Sequence, residues 1–257
     1  MKITILTLFP EMFNGFLESS IIKRAISKGV VSFEIVNIRD YTKDKYGRVD
    51  SAPIGGGAGL IMKCQPIYDA LLAHKSEDTK VILLSPRGET YNQQKAHEFA
   101  KKSQDLLIIC GHYEGIDERI NSFVDEQISV GDYILTGGEL GSLIIADSIT
   151  RLLDGAISEE SIVEESFENG LLEYPQYTEP YDFLGMKVPN ILYSGNHQAI
   201  EKWRKKQSLK LTREIRPDLF EKYELTKQDK KLIDELKESD QPKWEKAAID
   251  KGSKFMK

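Results

Sequence analysis

Short apolar runs recur along this 257-residue chain, separated by stretches of helical periodicity, and that alternation restricts the fold more than any other feature. Lys2–Leu8, Val31–Ile38, Val81–Ser85 and Leu106–Cys110 read as strands, because continuous apolar runs rich in β-branched side chains suit strands covered on both faces. Between them Pro10–Lys28, Gln65–His74 and Gln93–Lys102 read as helices, followed later by Glu139–Leu153. The first has Pro10 at its start and Gly29 just past its end, the usual asymmetry of helix termini. Met12, Phe13, Phe16, Leu17, Ile21, Ala25 and Ile26 give it one apolar face, and the last helix is expected to turn Leu140, Leu143, Ile144, Ile149 and Leu152 inward. Strands separated by helices predict an α/β domain with a parallel sheet, whose ligands bind beyond the carboxyl ends of the strands. Ser85–Gly88 and Gly111–Gly115 fall at such ends.

The richest stretch runs from Gly111 to Leu140. Gly111, Gly115, Gly131, Gly137 and Gly138 lie there together, with Tyr113, Glu114, Asp117, Glu118, Arg119, Asp132 and Glu139 between them. Each glycine costs roughly 0.5–1 kcal/mol relative to alanine inside regular structure, so a cluster points to geometry that a Cβ would block. This stretch reads as a site rather than a linker. A second cluster, Pro53–Gly59, follows Arg48, Val49 and Asp50 and suits either a flexible hinge or a mobile loop that closes over substrate. A phosphate cradle is disfavoured, since the chain has neither G-x-x-x-x-G-K-[ST] nor a G-x-G-x-x-G that opens a helix.

Composition bounds the remainder. The longest N-terminal apolar run, Ile3–Phe9, is too short for a membrane span and ends at Pro10, which supports neither signal peptide nor anchor. Cys64 and Cys110 stand in no metal or redox spacing, so a reduced, cytoplasmic protein is expected. His74, His97, His112 and His197 form no ligand pair at helical spacing, and no structural metal is expected. The net charge of −6 argues against indiscriminate coating of nucleic acid. The charge is uneven, however. His197–Arg216 carries seven cations (Lys202, Arg204, Lys205, Lys206, Lys210, Arg213 and Arg216) against Glu201 and Glu214, whereas Asp154–Glu173 carries seven acids and no base. The basic run suits either an anionic partner met at one place or a solvated helix face. Trp203 within it reads as a packing residue in preference to a base-stacking one. Composition turns polar and proline-containing over Ser158–Pro189, which places a domain boundary near residues 158–170, and Asp240–Lys257 reads as a frayed helix or tail.

At this point several motifs match one family together. GHYEGIDER, SVGDYILTGGEL, LFPEMF, VDSAPIGGGAG, LLSPRG, SFENGLLEYPQYTEP, VPNILYSGNH and WRKKQSL occur in order across residues 1–235, and the chain resembles the bacterial tRNA (guanine-N1)-methyltransferases, which modify guanosine 37 beside the anticodon. The resemblance implies a SPOUT-type catalytic domain with a deep trefoil knot over residues 1–160, a linker over 161–170, a small all-α tRNA-binding domain over 171–240, a tail over 241–257, and a homodimer. It also implies S-adenosylmethionine as methyl donor, bound in the knot by Leu84, Ser85, Pro86 and Gly111, by Val130, Gly131, Asp132, Tyr133, Ile134 and Leu135, and by Gly137 and Gly138. Tyr133–Leu135 could equally be a core strand. Magnesium is implied by the resemblance alone.

The family's catalytic arginine falls on Arg151, and its catalytic aspartate on Glu165, with Glu164 and Glu168 as neighbouring competitors. A carboxylate that takes the N1 proton and an arginine that stabilises charge on the base carbonyl fit methyl transfer to guanine. Asp50, Gly55, Gly56, Gly57, Glu114, Ser166, Lys205 and Lys206 are the implied tRNA contacts. Besides Glu165, the chain departs from the family at Glu179, where arginine is usual, at Gly141, where proline commonly follows GGEL, and at His112, where some members have arginine. Glu165 and Glu179 are what would favour a non-catalytic tRNA-binding relative; Arg151, Asp50 and the GDYILTGG stretch favour the active enzyme.

Overall fold

Every strand of the main sheet is parallel to its neighbours. In chain order the strands of the first part are β1 (Lys2–Thr7), β2 (Ser32–Asn37), β3 (Asp50–Ser51), β4 (Ile61–Met62), β5 (Lys80–Thr90), β6 (Leu106–Ile109) and β7 (Glu126–Ser129). Five of them make the sheet in the order β2-β1-β6-β5-β7, while β3 and β4 pair antiparallel beside it. The computed structural model describes residues 1–102, 104–158, 162–236 and 241–252. The chain divides into two compact units, Met1–Glu159 and Glu160–Lys257.

Alternation along each strand sends successive side chains to opposite faces. Ile3, Ile5, Ile82, Leu106 and Ile108 pack on one face with Phe99 of α4 (Gln93–Lys102) and with Ile145 and Ile149 of α5 (Glu139–Thr150). Leu6, Leu83, Leu107 and Ile109 pack on the other with Met62 and with Ile67 of α3 (Cys64–His74). Both faces are therefore covered, as a parallel sheet requires.

Three local expectations are corrected. Pro10–Lys28 is not one helix: a 3-10 turn at Pro10–Phe13 leads into α1 (Asn14–Leu17), and α2 (Ser20–Ser27) starts anew with Ser20 at φ +44°. Ser19 Oγ donates to the Gly15 carbonyl at 2.6 Å, a side-chain bond that competes with continuing the helix. Leu140 and Ile144 of α5 do not face inward but stay 48% and 45% exposed, one turn apart on the same face. Tyr133–Leu135 is a loop rather than a core strand, with Ile134 82% exposed.

The second unit centres on α6 (His197–Ile215), flanked by α7 (Pro217–Lys222), α8 (Lys227–Glu235) and α9 (Lys243–Gly252), with a hairpin of β8 (Asp182–Phe183) and β9 (Met186–Lys187) preceding them. Asn196 caps α6 by accepting from Ala199 N, and Thr226 and Asp229 form a reciprocal capping box on α8. Trp203 is buried against Ile191, Ala199 and Ala248, so it is a packing residue. Of the stretch expected as a frayed helix or tail, residues 243–252 form the helix α9, and Ala248 seats it in the core. Ser161 of the expected linker, Lys237–Asp240 and the last five residues lie outside the described residues. Among the described residues no helix is long and apolar enough to cross a membrane.

Candidate active site

The irregular middle of β5, the carboxyl end of β6 and the loop from β7 to α5 line a cavity of about 280 Å³. Three segments wall it. The first is Leu84–Pro86, where β5 leaves register with β7 between Leu84 and Glu89. Gly88 allows that bulge, because a Cβ there would lie 2.4 Å from the backbone of Gln127 and Ile128. The second is Gly111–Gly115, directly after β6. The third is the loop that ends at the N-terminus of α5, contributing Val130, Gly131, Tyr133, Ile134, Leu135, Gly137 and Gly138. Of the residues expected to hold the methyl donor, only Asp132 is not part of the lining; it is exposed on the same loop.

Backbone stitching fixes the third wall against the second. Gly138 N donates to Gly111 O at 2.8 Å, and His112 bridges Gly137. The approach is so close that a Cβ on Gly138 would sit 2.7 Å from Cys110 Cα. On Gly137 it would meet Glu139 Oε2 and, at 2.6 Å, His112 Nδ1. That ring nitrogen is buried and has no hydrogen-bond partner among the described residues. At the other end of the loop Gly131 turns at φ +144°, which lets Tyr133 fold back and donate to Val130 O at 3.1 Å. Beneath the wall, Glu139 is buried at the start of α5 and accepts from Thr7 Oγ1 at 2.8 Å. Burial, reinforced by that carboxylate, pushes the Cys110 thiol well above its ordinary range, so this cysteine is inert packing.

Seven residues that line the same cavity were not among the expected site residues: His112, Tyr113, Gly115, Ile128, Ser129, Thr136 and Gly141. Two of them, His112 and Gly141, carried a signal as departures from the family pattern. Gly141 is the third residue of α5, where a proline would remove no intrahelical bond. Its position faces Leu84 Cδ1, 3.2 Å from where a Cβ would stand.

Glu114 is exposed at the rim and reaches over Gly59, and its N–H donates to Leu60 O at 3.1 Å. Asp50 belongs to β3, which pairs with β4, and Met62 N in turn donates to Gly115 O at 3.0 Å. The glycines at 55, 56 and 57 are exposed on the loop between these short strands, with Ile54 fully exposed at its tip. Arg151 caps the C-terminus of α5 and is half-buried.

In the second unit, Glu165 and Ser166 lie on a segment of turns, and Ser166 Oγ accepts from Glu173 N at 2.9 Å. Glu164 is engaged: Tyr174 donates its hydroxyl proton to it at 2.5 Å, and Arg204 pairs with it at 3.4 Å while lying over the Tyr174 ring. Lys205 donates to Tyr223 at 2.7 Å. Lys206 is buried and turned toward Glu235 at 3.7 Å, a residue that also pairs with Lys202 and accepts from Trp244. The expectation that Lys206 meets RNA phosphate is therefore corrected: its ammonium is held inside the unit. Lys210 of the same run is exposed. Among the described residues no group of three or more His, Cys, Asp or Glu side chains is placed to hold a metal ion.

A family model described as tRNA (Guanine-1)-methyltransferase TrmD matches residues 1–222. The chain belongs to this family. Among curated members named tRNA (guanine-N(1)-)-methyltransferase, that of Halalkalibacterium halodurans is 54% identical over 242 residues, covering 92% of this chain and 98% of its own length. The protein of Dictyoglomus turgidum is 51% identical, covering 92% and 97%, and that of Clostridium botulinum strain Hall is 55% identical, covering 91% and 97%.

Proposed function

We propose that this chain transfers a methyl group from S-adenosylmethionine to N1 of guanosine 37 in tRNA. The observation that carries this reading is the convergence of Leu84–Pro86, Gly111 and the 130–138 loop on one cavity. Its residues fit the donor. Backbone along the 130–137 loop can read an adenine edge, His112 Nδ1 lies beside Gly137, and Ile134 and Leu135 supply apolar wall. When bound, S-adenosylmethionine supplies a methyl group activated by its sulfonium.

The chain's own residues do the rest. Glu165 takes the N1 proton onto a carboxylate oxygen as the new carbon–nitrogen bond forms, and Arg151 stabilises the negative charge that develops on the guanine carbonyl oxygen. Glu164, which accepts from Tyr174 and pairs with Arg204, is the neighbouring competitor for the base. Asp50, the 55–57 glycine loop, Glu114, Ser166 and Lys205 are assigned to the tRNA side.

The trefoil knot, the linker at 161–170 and the role of the second unit in tRNA binding belong to the same reading. So does a homodimer, which the apolar surface of Leu140 and Ile144 on α5 supports, with Tyr133 and Ile134 exposed on the preceding loop. A cytoplasmic location accords with two free cysteines. The relatives' names favour an enzyme over a non-catalytic tRNA-binding protein.

The test is methylation of an unmodified tRNA transcript by the full chain, with guanosine 37 replaced in a control. Methyl transfer to the first and not the second is expected. Equal labelling of both would move the target position, and labelling of neither would favour the non-catalytic relative.

A further inference from the structure

Four residues before Asp50, the chain holds an aromatic ring out in solvent. Tyr46 is 70% exposed. A single exposed aromatic needs no explanation by itself, but this one is held in a built setting. Asp44 accepts from Tyr46 N at 2.8 Å, and both of its oxygens bind the Arg48 guanidinium, Oδ2 lying 2.8 Å from its terminal nitrogen. Thr42 Oγ1 closes the loop, accepting from Asp44 N and donating to Arg48 O at 2.8 Å. The Arg48 guanidinium, with the backbone N–H groups of Tyr46 and Arg48, holds the Asp44 carboxyl down at about 2, so the clasp stays charged across the working pH range.

The clasp sets cations around the ring. Arg48 Cζ lies 5.3 Å from the Tyr46 centroid, and Lys45 Nζ lies 4.7 Å from it. Lys43 pairs with Asp69 at 2.9 Å and Arg48 with Asp44, so the positive charge this loop presents beyond those pairs is that of Lys45. The loop is also joined to the cavity rim by backbone bonds. Val49 O accepts from Lys63 N, β3 pairs with β4, and Met62 N donates to Gly115 O. Gly115 lines the cavity.

An exposed aromatic face flanked by cations matches an unpaired nucleotide: the base stacks on the ring while the phosphates meet the ammonium and guanidinium. We propose that Tyr46, with Lys45 and Arg48, is a stacking platform for an unpaired anticodon-loop nucleotide next to the target guanosine. This rests on the reading of the chain as a tRNA methyltransferase and adds to it a contact with substrate. An acidic peptide would use the same cations but would not need the ring, and the test separates the two.

The experiment titrates the full chain into tRNA transcripts that carry 2-aminopurine on either side of position 37. Wild type should quench the probe at one of those positions. Tyr46→Ala should lose the quench and bind tRNA roughly tenfold more weakly, within the range for one base–aromatic stack. Tyr46→Phe should keep both, because the ring face stacks and the hydroxyl does not. Lys45→Gln should lower the log–log salt slope by about 0.7–0.9, one phosphate contact. S-adenosylmethionine affinity and thermal melting should be unchanged in all three. An unaltered quench and affinity in Tyr46→Ala overturns the platform. So does a loss in Lys45→Gln alone, which would make the loop a plain electrostatic patch of the kind an acidic peptide could use. Binding is read without turnover, so Tyr46-dependent quenching without methyl transfer would sink the catalytic reading and leave the platform standing. Methyl transfer with a neutral Tyr46→Ala would do the reverse.

Discussion

The two units prepare for a substrate with different materials. In Met1–Glu159 the candidate site is made of backbone and missing side chains: Gly138 stands where a Cβ would lie 2.7 Å from Cys110 Cα, and the nearest buried acid, Glu139, is already bonded to Thr7. In Glu160–Lys257 the candidates are charged side chains, several of them committed to each other, as Glu164 is to Tyr174 and Arg204 and Lys206 is to Glu235. A site built from backbone is sensitive to added volume and indifferent to charge. One built from ionised side chains is the opposite, and only cations that packing has not claimed can serve a polyanion.

The largest effect should come from the charged region. Glu165→Ala is expected to slow the chemical step in single-turnover assays by roughly two to four orders of magnitude, the range for a lost general base, with donor affinity unchanged. Glu164→Ala should slow it far less. If Glu164→Ala is dead and Glu165→Ala reacts at the wild-type rate, the carboxylate has been misassigned. In the first unit the corresponding change is steric. Gly138→Ala should destabilise by about 1–3 kcal/mol through overpacking against Cys110 and weaken donor binding at least tenfold by calorimetry. A fully stable, donor-binding Gly138→Ala would mean the wall is not set by close approach.

These contrasts also explain what could be read in advance. The parallel sheet was legible because its strands are continuous apolar runs covered on both faces. β7 was not, since Glu126–Ser129 carries one apolar residue, Ile128, and gains its place by pairing with β5. The cavity was legible as clustered glycines, but Thr136 carries no pattern of its own and enters the wall only through the loop that Gly138 ends. In the second unit the tally of cations in His197–Arg216 gave no hint that Lys206 faces inward, because Glu235, its partner, comes more than one helix later. Residues 243–252 looked like a frayed helix or tail for a related reason: the apolar positions Trp244, Ala248 and Ile249 are few, and their seat against Trp203 is long-range.

Intermediate effects distinguish committed from available cations. Lys206→Met should lower thermal stability by about 1–3 kcal/mol, since a buried charge partner is removed while Lys202 and Trp244 remain on Glu235. It should leave the salt dependence of tRNA binding alone. Lys210→Gln should do the converse, keeping stability and reducing the log–log slope by about 0.7–0.9. Equal slopes for the two variants would erase the distinction between them.

The smallest effect is a pair of shifts of opposite sign, one in each unit. Burial pushes the Tyr91 phenol up to about 12, and its hydrogen bond with Ser148 at 2.7 Å works against that rise. Tyr174 is also pushed up to about 12, first by burial, but there the Glu164 carboxylate adds to the rise. Ser148→Ala should therefore raise the Tyr91 value further, whereas Glu164→Gln should lower that of Tyr174, both read from tyrosinate absorbance in an alkaline titration. An unfolded tyrosine titrates near a pH of about 10, so each neutral phenol contributes stability that is complete below that pH and is lost as pH climbs through the raised native value. Wild type should accordingly lose stability between pH 10 and about 12, with the onset in Glu164→Gln altered only by the second unit's share. Shifts of the same sign in both variants would show that the hydroxyl in the first unit and the carboxylate in the second do not act on their tyrosines in the different ways their charges require.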